Sequence, residues 1–219
     1  MESFWILGAG HFGSLAAKRI LQQKKGCKVL VVDYRDDALA HLRDEPMKPL
    51  KQDAVDFLLS QDGKGDEWII PAIPEHVAFL YLCQQLAKEG TVIPLVVPTV
   101  LDQEIPNPTR GKGGVLYGSF ASFLCPDDCQ EPKEMCSVTR KPREANLYDL
   151  IQQIEVPGYQ TLVVRSRQLA PGVGGYKLST LWLLLEAVRC SEKSILVATA
   201  CRCHGVINAL RFKRQAQSA

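Results

Sequence analysis

No apolar run in this chain approaches the roughly twenty residues needed to cross a bilayer, since the most hydrophobic stretches, Leu178 to Val188 and Ile195 to Ala200, are far shorter. The start of the chain has no secretory character: Glu2 stands where a basic region should be, and the first apolar run ends at once in a glycine turn. Strong charge of either sign is also missing. A formal net charge of +2 gives no grip on nucleic acid or on an anionic membrane, and the basic run Arg211-Phe212-Lys213-Arg214 is too short to change this, so it reads as a solvated tail. These absences predict a soluble, cytoplasmic protein with no nucleic-acid partner and no direct membrane insertion. In such a reducing compartment eight cysteines do not form a disulfide framework, and metal ligands, redox thiols or core residues remain.

What the chain does have is ordinary globular composition, 46% hydrophobic and 23% charged over 219 residues, and one organised opening. Phe4-Trp5-Ile6-Leu7 leads through Gly8-Ala9-Gly10-His11-Phe12-Gly13 into a stretch with Leu15, Ala16, Ile20 and Leu21 on one helical face, then into Val29-Leu30-Val31-Val32-Asp33. This is strand, glycine turn, helix and second strand. Gly8 permits the tight turn, Gly10 lets the backbone approach a pyrophosphate, and Gly13 lets the helix lie close on the sheet. Phosphates would sit at the helix N-terminus, where free N–H groups and the dipole favour an anion. Asp33 would accept hydrogen bonds from ribose hydroxyls and repel a 2′-phosphate, so NAD is expected ahead of NADP, a preference weakened by the neighbouring Arg35. The predicted cofactor site is therefore Gly8, Ala9, Gly10, His11, Phe12, Gly13, Asp33, Tyr34 and Arg35.

Downstream, the pattern predicts a short helix over 36–45, stopped by Pro46 and Pro49, a strand at Trp68-Ile69-Ile70-Pro71-Ala72, a helix from about Pro74 to Lys88 and a strand over 92–97. By right-handed crossover this makes a parallel Rossmann-type sheet flanked by helices, a dinucleotide-binding domain over 1–104. Residues 1 to about 98 resemble the NAD-binding domains of Trk-type potassium-uptake regulators and related RCK domains. The match rests on Gly8-x-Gly10-x-x-Gly13, Val31-Val32-Asp33, Gln52-Asp53-Ala54 and Ile70-Pro71-Ala72-Ile73-Pro74-Glu75. The resemblance implies nucleotide binding through Gly8, Gly10, Gly13 and Asp33, a homodimer, a membrane-transporter partner and a role in regulating potassium transport.

Residues 105–145 are rich in Pro, Gly and Cys. Arg110-Gly111-Lys112-Gly113-Gly114 lacks the Gly-Lys-Ser/Thr order of a phosphate-binding P-loop and reads as a mobile linker. Residues 146–219 form a smaller C-terminal α/β portion: helix 147–154, strand 161–166, a glycine loop 170–176 that could form an anion nest between Arg165, Arg167 and Lys177, helix 179–189 and strand 194–200.

Cys125, Cys129 and Cys136 lie in the loop-rich segment, and Cys201 and Cys203 follow the last strand, where alternation would turn both thiols to one face beside His204. Four of these groups could close a tetrahedral zinc site, four thiolates could hold an iron-sulfur cluster, or the thiols could remain bare. Cys83 fits a helix core, and Cys27 and Cys190 sit at element ends. The predicted function is an NAD(P)-binding protein with a cysteine-ligated metal centre in redox chemistry or redox sensing. Two readings stand beside it: a non-catalytic, TrkA/RCK-like nucleotide-sensing subunit with a structural metal, and an NAD-dependent dehydrogenase whose chemistry comes from Cys or His204.

Overall fold

The computed structural model describes residues 1–43 and 45–215. In chain order the strands and helices are β1 (Ser3–Leu7), α1 (His11–Gln23), β2 (Lys28–Asp33), α2 (Asp36–Ala40), β3 (Lys48–Lys51), α3 (Ala54–Leu59), β4 (Trp68–Pro71), α4 (Val77–Ala87), β5 (Gly90–Leu95) and α5 (Leu101–Glu104). They continue with β6 (Thr109–Arg110), β7 (Leu116–Ser119), α6 (Leu147–Gln153), β8 (Tyr159–Arg165), β9 (Arg167–Ala170), β10 (Val173–Lys177), α7 (Leu178–Arg189), β11 (Ser194–Ala200) and β12 (His204–Arg214). Contacts divide the chain into two units. One comprises Met1–Val77, Pro126–Gln130 and Arg167–Thr180, and the other Ala78–Cys125, Glu131–Ser166 and Leu181–Ala219.

The first unit holds a sheet of order β3-β2-β1-β4-β10-β9. Its first four strands are parallel, with Phe4 opposite Val29 and Trp68 on either side. β1 reads as an unbroken apolar run because both its faces are covered: Phe4, Ile6 and Leu7 are fully buried. α1 lays Gly13, Ala16, Ala17 and Ile20 on the core, the spacing of one helical face. α3 starts at Asp53, whose carboxylate accepts from the backbone N–H groups of Val55 and Asp56.

The all-parallel sheet expected from the order of elements is not what forms. β10 and β9 complete it antiparallel, with Tyr176 opposite Ile69. The expected glycine loop over 170–176 is this hairpin, and Gly175 is glycine because a Cβ there would stand 2.6 Å from the carbonyl oxygen of Ile69. The ladder engages Val173, Gly174 and Gly175, so this stretch is not the open anion nest that its glycines suggest.

The second unit is built around β12, which pairs antiparallel with β11, with β7 along its first residues and with β5 along its last. β8 extends the sheet parallel to β11, and β6 pairs with β7. Two sequence expectations change here. The run over 211–214 is the end of a central strand, not a solvated tail, and the strand predicted at 92–97 pairs with that strand instead of extending the nucleotide-type sheet. The segment read as a mobile linker is a hydrogen-bonded turn, with Gly111 N–H donating to Val115 O at 2.9 Å and Val97 N–H to Gly114 O at 3.2 Å. Leu116, Leu147, Ile151, Leu196, Ala198 and Ile207 form the centre of this unit's core. Among the described residues no helix is long and apolar enough to cross a membrane.

Candidate functional site

In the first unit the glycine turn joins β1 to α1. Gly8 has φ +113°, a conformation that L side chains rarely adopt, and a Cβ there would lie 2.7 Å from Ala72 O. Gly13 sits where a Cβ would overlap the carbonyl of Gly8. These two glycines are therefore required by the fold itself. Gly10 differs: its backbone is extended, with φ −69° and ψ −167°, and a Cβ there would meet no atom of the described residues within 4 Å. It caps α1 without a side-chain hydrogen bond, and the helix has no acid in its first turn.

Asp33, at the end of β2, is brought under this turn and buried. Its Oδ2 accepts from Ala9 N–H at 2.8 Å, and its Oδ1 accepts from Arg35 N–H at 2.9 Å and Arg35 Nε at 3.4 Å. Burial alone would raise its carboxyl, but these N–H donors and the Arg35 charge outweigh it and hold the group below the ordinary aspartate range. Of the other predicted cofactor residues, Phe12 and Tyr34 are exposed. The Arg35 guanidinium stands 5.8 Å from the Tyr34 ring centroid. His11 has Asp127 as its partner, Nε2 to Oδ2 at 3.0 Å.

Among the predicted metal ligands, Cys129 belongs to the first unit, whereas Cys125, Cys136, Cys201, Cys203 and His204 belong to the second. Cys201 and Cys203 do not share a strand. They lie in the turn joining β11 to β12, closed by Cys201 N–H donating to His204 O at 2.9 Å. That turn aims the N–H groups of Cys203 and His204 at the Cys201 sulfur, each at 3.4 Å. Cys136 is held in a similar way, by the N–H and hydroxyl of Thr139 and by the N–H of Val138, and these bonds lower its thiol from the usual range. The Cys203 sulfur accepts from Arg143 Nη1 at 2.8 Å. His204 places Nε2 3.6 Å from Cys125 Sγ and Nδ1 3.9 Å from Cys201 Sγ.

Burial, with Glu131 adding to it, pushes the Cys201 thiol up to about 12. Burial also lowers the His204 imidazole, assisted by Arg143 and opposed by Glu131. N–H donors that favour a thiolate, on a thiol that burial keeps protonated, suit a sulfur whose proton is replaced by a metal ion. As they stand, no three or more His, Cys, Asp or Glu side chains among the described residues are arranged to hold an ion together, and among the described residues no cysteine is in a disulfide. Cys83 sits half-buried in α4, and burial pushes its thiol up to about 11.

Arg143, Glu131 and Asp127 are the residues that reading the sequence does not single out. Each reaches its partner across a long separation, 60 residues for Arg143 to Cys203 and 116 for Asp127 to His11, and neither spacing nor periodicity carries such a signal.

Residues 75–213 match the family described as the C-terminal domain of an uncharacterized protein, AF_1314_C. These residues span the cysteine turn and leave the glycine turn outside. A protein of Archaeoglobus fulgidus described as uncharacterized is 29% identical over 219 residues, covering 94% of this chain and 98% of its own. No solved structure matches.

Proposed function

We propose that this chain, which belongs to the family described as the C-terminal domain of an uncharacterized protein, AF_1314_C, is a cytoplasmic NAD-binding protein that carries a cysteine-ligated metal centre and works in redox chemistry or redox sensing. One observation carries the nucleotide half. Gly8 and Gly13 have folding reasons to lack a side chain, whereas Gly10, with ordinary φ and no atom of the described residues within 4 Å of its Cβ position, has none among them. A group from outside the chain that approaches the backbone there supplies the reason. The glycine turn is then a Rossmann-type cradle whose N–H groups at the start of α1 receive a pyrophosphate. Asp33 keeps a lone pair on Oδ2 beyond the bond from Ala9 and can take a ribose hydroxyl.

The metal half is supported by the donors gathered around Cys136, Cys201 and Cys203, with Cys125 beside His204. When bound, NAD supplies hydride chemistry, and the metal supplies either an electron acceptor or a structural tie. The residues of the chain hold and orient both groups. One feature favours a second reading. An imidazole among the thiols suits zinc, which accepts Cys3His sets, better than an iron-sulfur cluster built on four thiolates. With zinc the protein is a nucleotide-sensing regulatory subunit, a homodimer acting on a membrane transporter, and its metal is structural.

The test is an NADH titration together with metal analysis and an absorption spectrum of anaerobically purified protein. Saturable NADH binding supports the cradle, and its absence overturns it. Iron with acid-labile sulfide identifies the redox centre, stoichiometric zinc in a colourless protein identifies the regulator, and metal-free protein overturns both.

A further inference from the structure

The five residues Pro126–Gln130 belong to the first unit, although the chain on either side of them belongs to the second. They are tied down at several points. Arg19 Nη1 donates to Asp127 O at 2.6 Å and to Pro171 O at 2.8 Å. The Cys129 carbonyl accepts from Gly172 N–H at 2.8 Å and from Gln168 Nε2 at 2.6 Å. Gly172, at φ +67°, is the residue whose Cβ would overlap Asp127 O, so the close fit is built into the sequence. From this anchored backbone the Asp127 carboxylate reaches His11, the first residue of α1. α1 has no acid of its own in its first turn, and Asp127 is the acid brought to it.

We propose that Asp127 is a tethered competitor of the dinucleotide pyrophosphate, so that nucleotide binding at Gly8–Gly13 and the reactivity of Cys129 are reciprocally linked. This rests on the nucleotide reading given above. A pyrophosphate at the start of α1 brings two negative charges to the end of the helix where Asp127 already places one, and like charges at such range repel. The bound nucleotide therefore releases Asp127 from His11, and the disturbance reaches Cys129, two residues further along the same short segment. By linkage, whatever binds Cys129 and draws the segment from α1 removes the competitor and tightens nucleotide binding by the same factor. His11 and Asp127 are both largely exposed, and an exposed pair sets the scale at about two- to fivefold.

The experiment compares full-length wild type with Asp127→Asn by NADH fluorescence titration, and follows iodoacetamide labelling of Cys129 by peptide mass mapping with and without saturating NADH. The proposal expects Asp127→Asn to lower the Kd for NADH by about two- to fivefold. It also expects NADH to speed Cys129 labelling in wild type by a similar factor, and to leave labelling unchanged in the variant. Wild type that binds NADH with an unaltered Kd in the variant, or with Cys129 labelling unchanged or slowed, overturns the link while sparing the nucleotide reading. Wild type that binds no NADH overturns both.

Discussion

At the scale of single residues, the glycine turn combines positions fixed by the fold with one that is not. Gly8→Ala places a side chain at φ +113° and 2.7 Å from a backbone oxygen. The expected cost is about 1–3 kcal/mol in urea unfolding, on the scale of one strained backbone position. Asp33→Asn exchanges an acceptor for an NH2 group that faces backbone donors, and losing one such buried bond costs about 1–3 kcal/mol at neutral pH. The sign of the pH effect follows from the lowered carboxyl of Asp33. Its contribution to stability is complete above the unfolded aspartate value of about 4 and is lost as pH falls through the lower folded value. Unfolding at pH 7 and in stronger acid should show the gap between wild type and variant closing in acid, and a gap that persists would assign it to packing. The turn and its acid were legible in the sequence because their signal is local, a fixed spacing after an apolar strand. That the acid already serves Ala9 and Arg35, and that His11 has a partner 116 residues away, was not legible, since no local pattern records a long-range hydrogen bond.

At the scale of elements, β12 organises the second unit and is the strand that its charges concealed. Arg211, Lys213 and Arg214 are exposed, so the run reads as solvent-facing, while Ile207, Ala209 and Leu210 are buried. Leu210→Ala should cost about 2–5 kcal/mol in the unfolding free energy, the range for truncating a fully buried leucine. A solvated tail would give a change near zero. Helices over 147–153 and 178–189 and the strand over 194–200 were legible from periodicity and apolar runs. The sheet that β5 joins was not, because element order does not specify a pairing partner as far along the chain as Ala209 is from Leu95, its opposite in the register. The hairpin of β9 and β10 was masked by its glycines, of which Gly172 makes the turn and Gly175 allows the close approach of the Ile69 carbonyl.

At the scale of the whole molecule, the chain is a mixed α/β protein of two units, each with its own mixed sheet. The family match covers residues 75–213 and therefore the cysteine turn, while the candidate nucleotide turn is carried by residues 8–13. The ligands of the proposed metal centre come from segments far apart in the chain, Cys125 and Cys136 on one side and Cys201 and Cys203 on the other. Cys201→Ser, which removes the sulfur that two backbone N–H groups face, should abolish the metal load measured by elemental analysis, and Cys83→Ser in α4 should leave it whole. A full load in Cys201→Ser would show that the metal lies elsewhere. That the opening turn holds a dinucleotide is tested by Gly10→Ala, because a Cβ there meets no atom of the described residues within 4 Å and the fold is expected to be kept. Titrated with NADH, wild type is expected to bind saturably while Gly10→Ala keeps its unfolding midpoint and binds more weakly. Equal affinity in the two proteins would show that no dinucleotide approaches the backbone at Gly10.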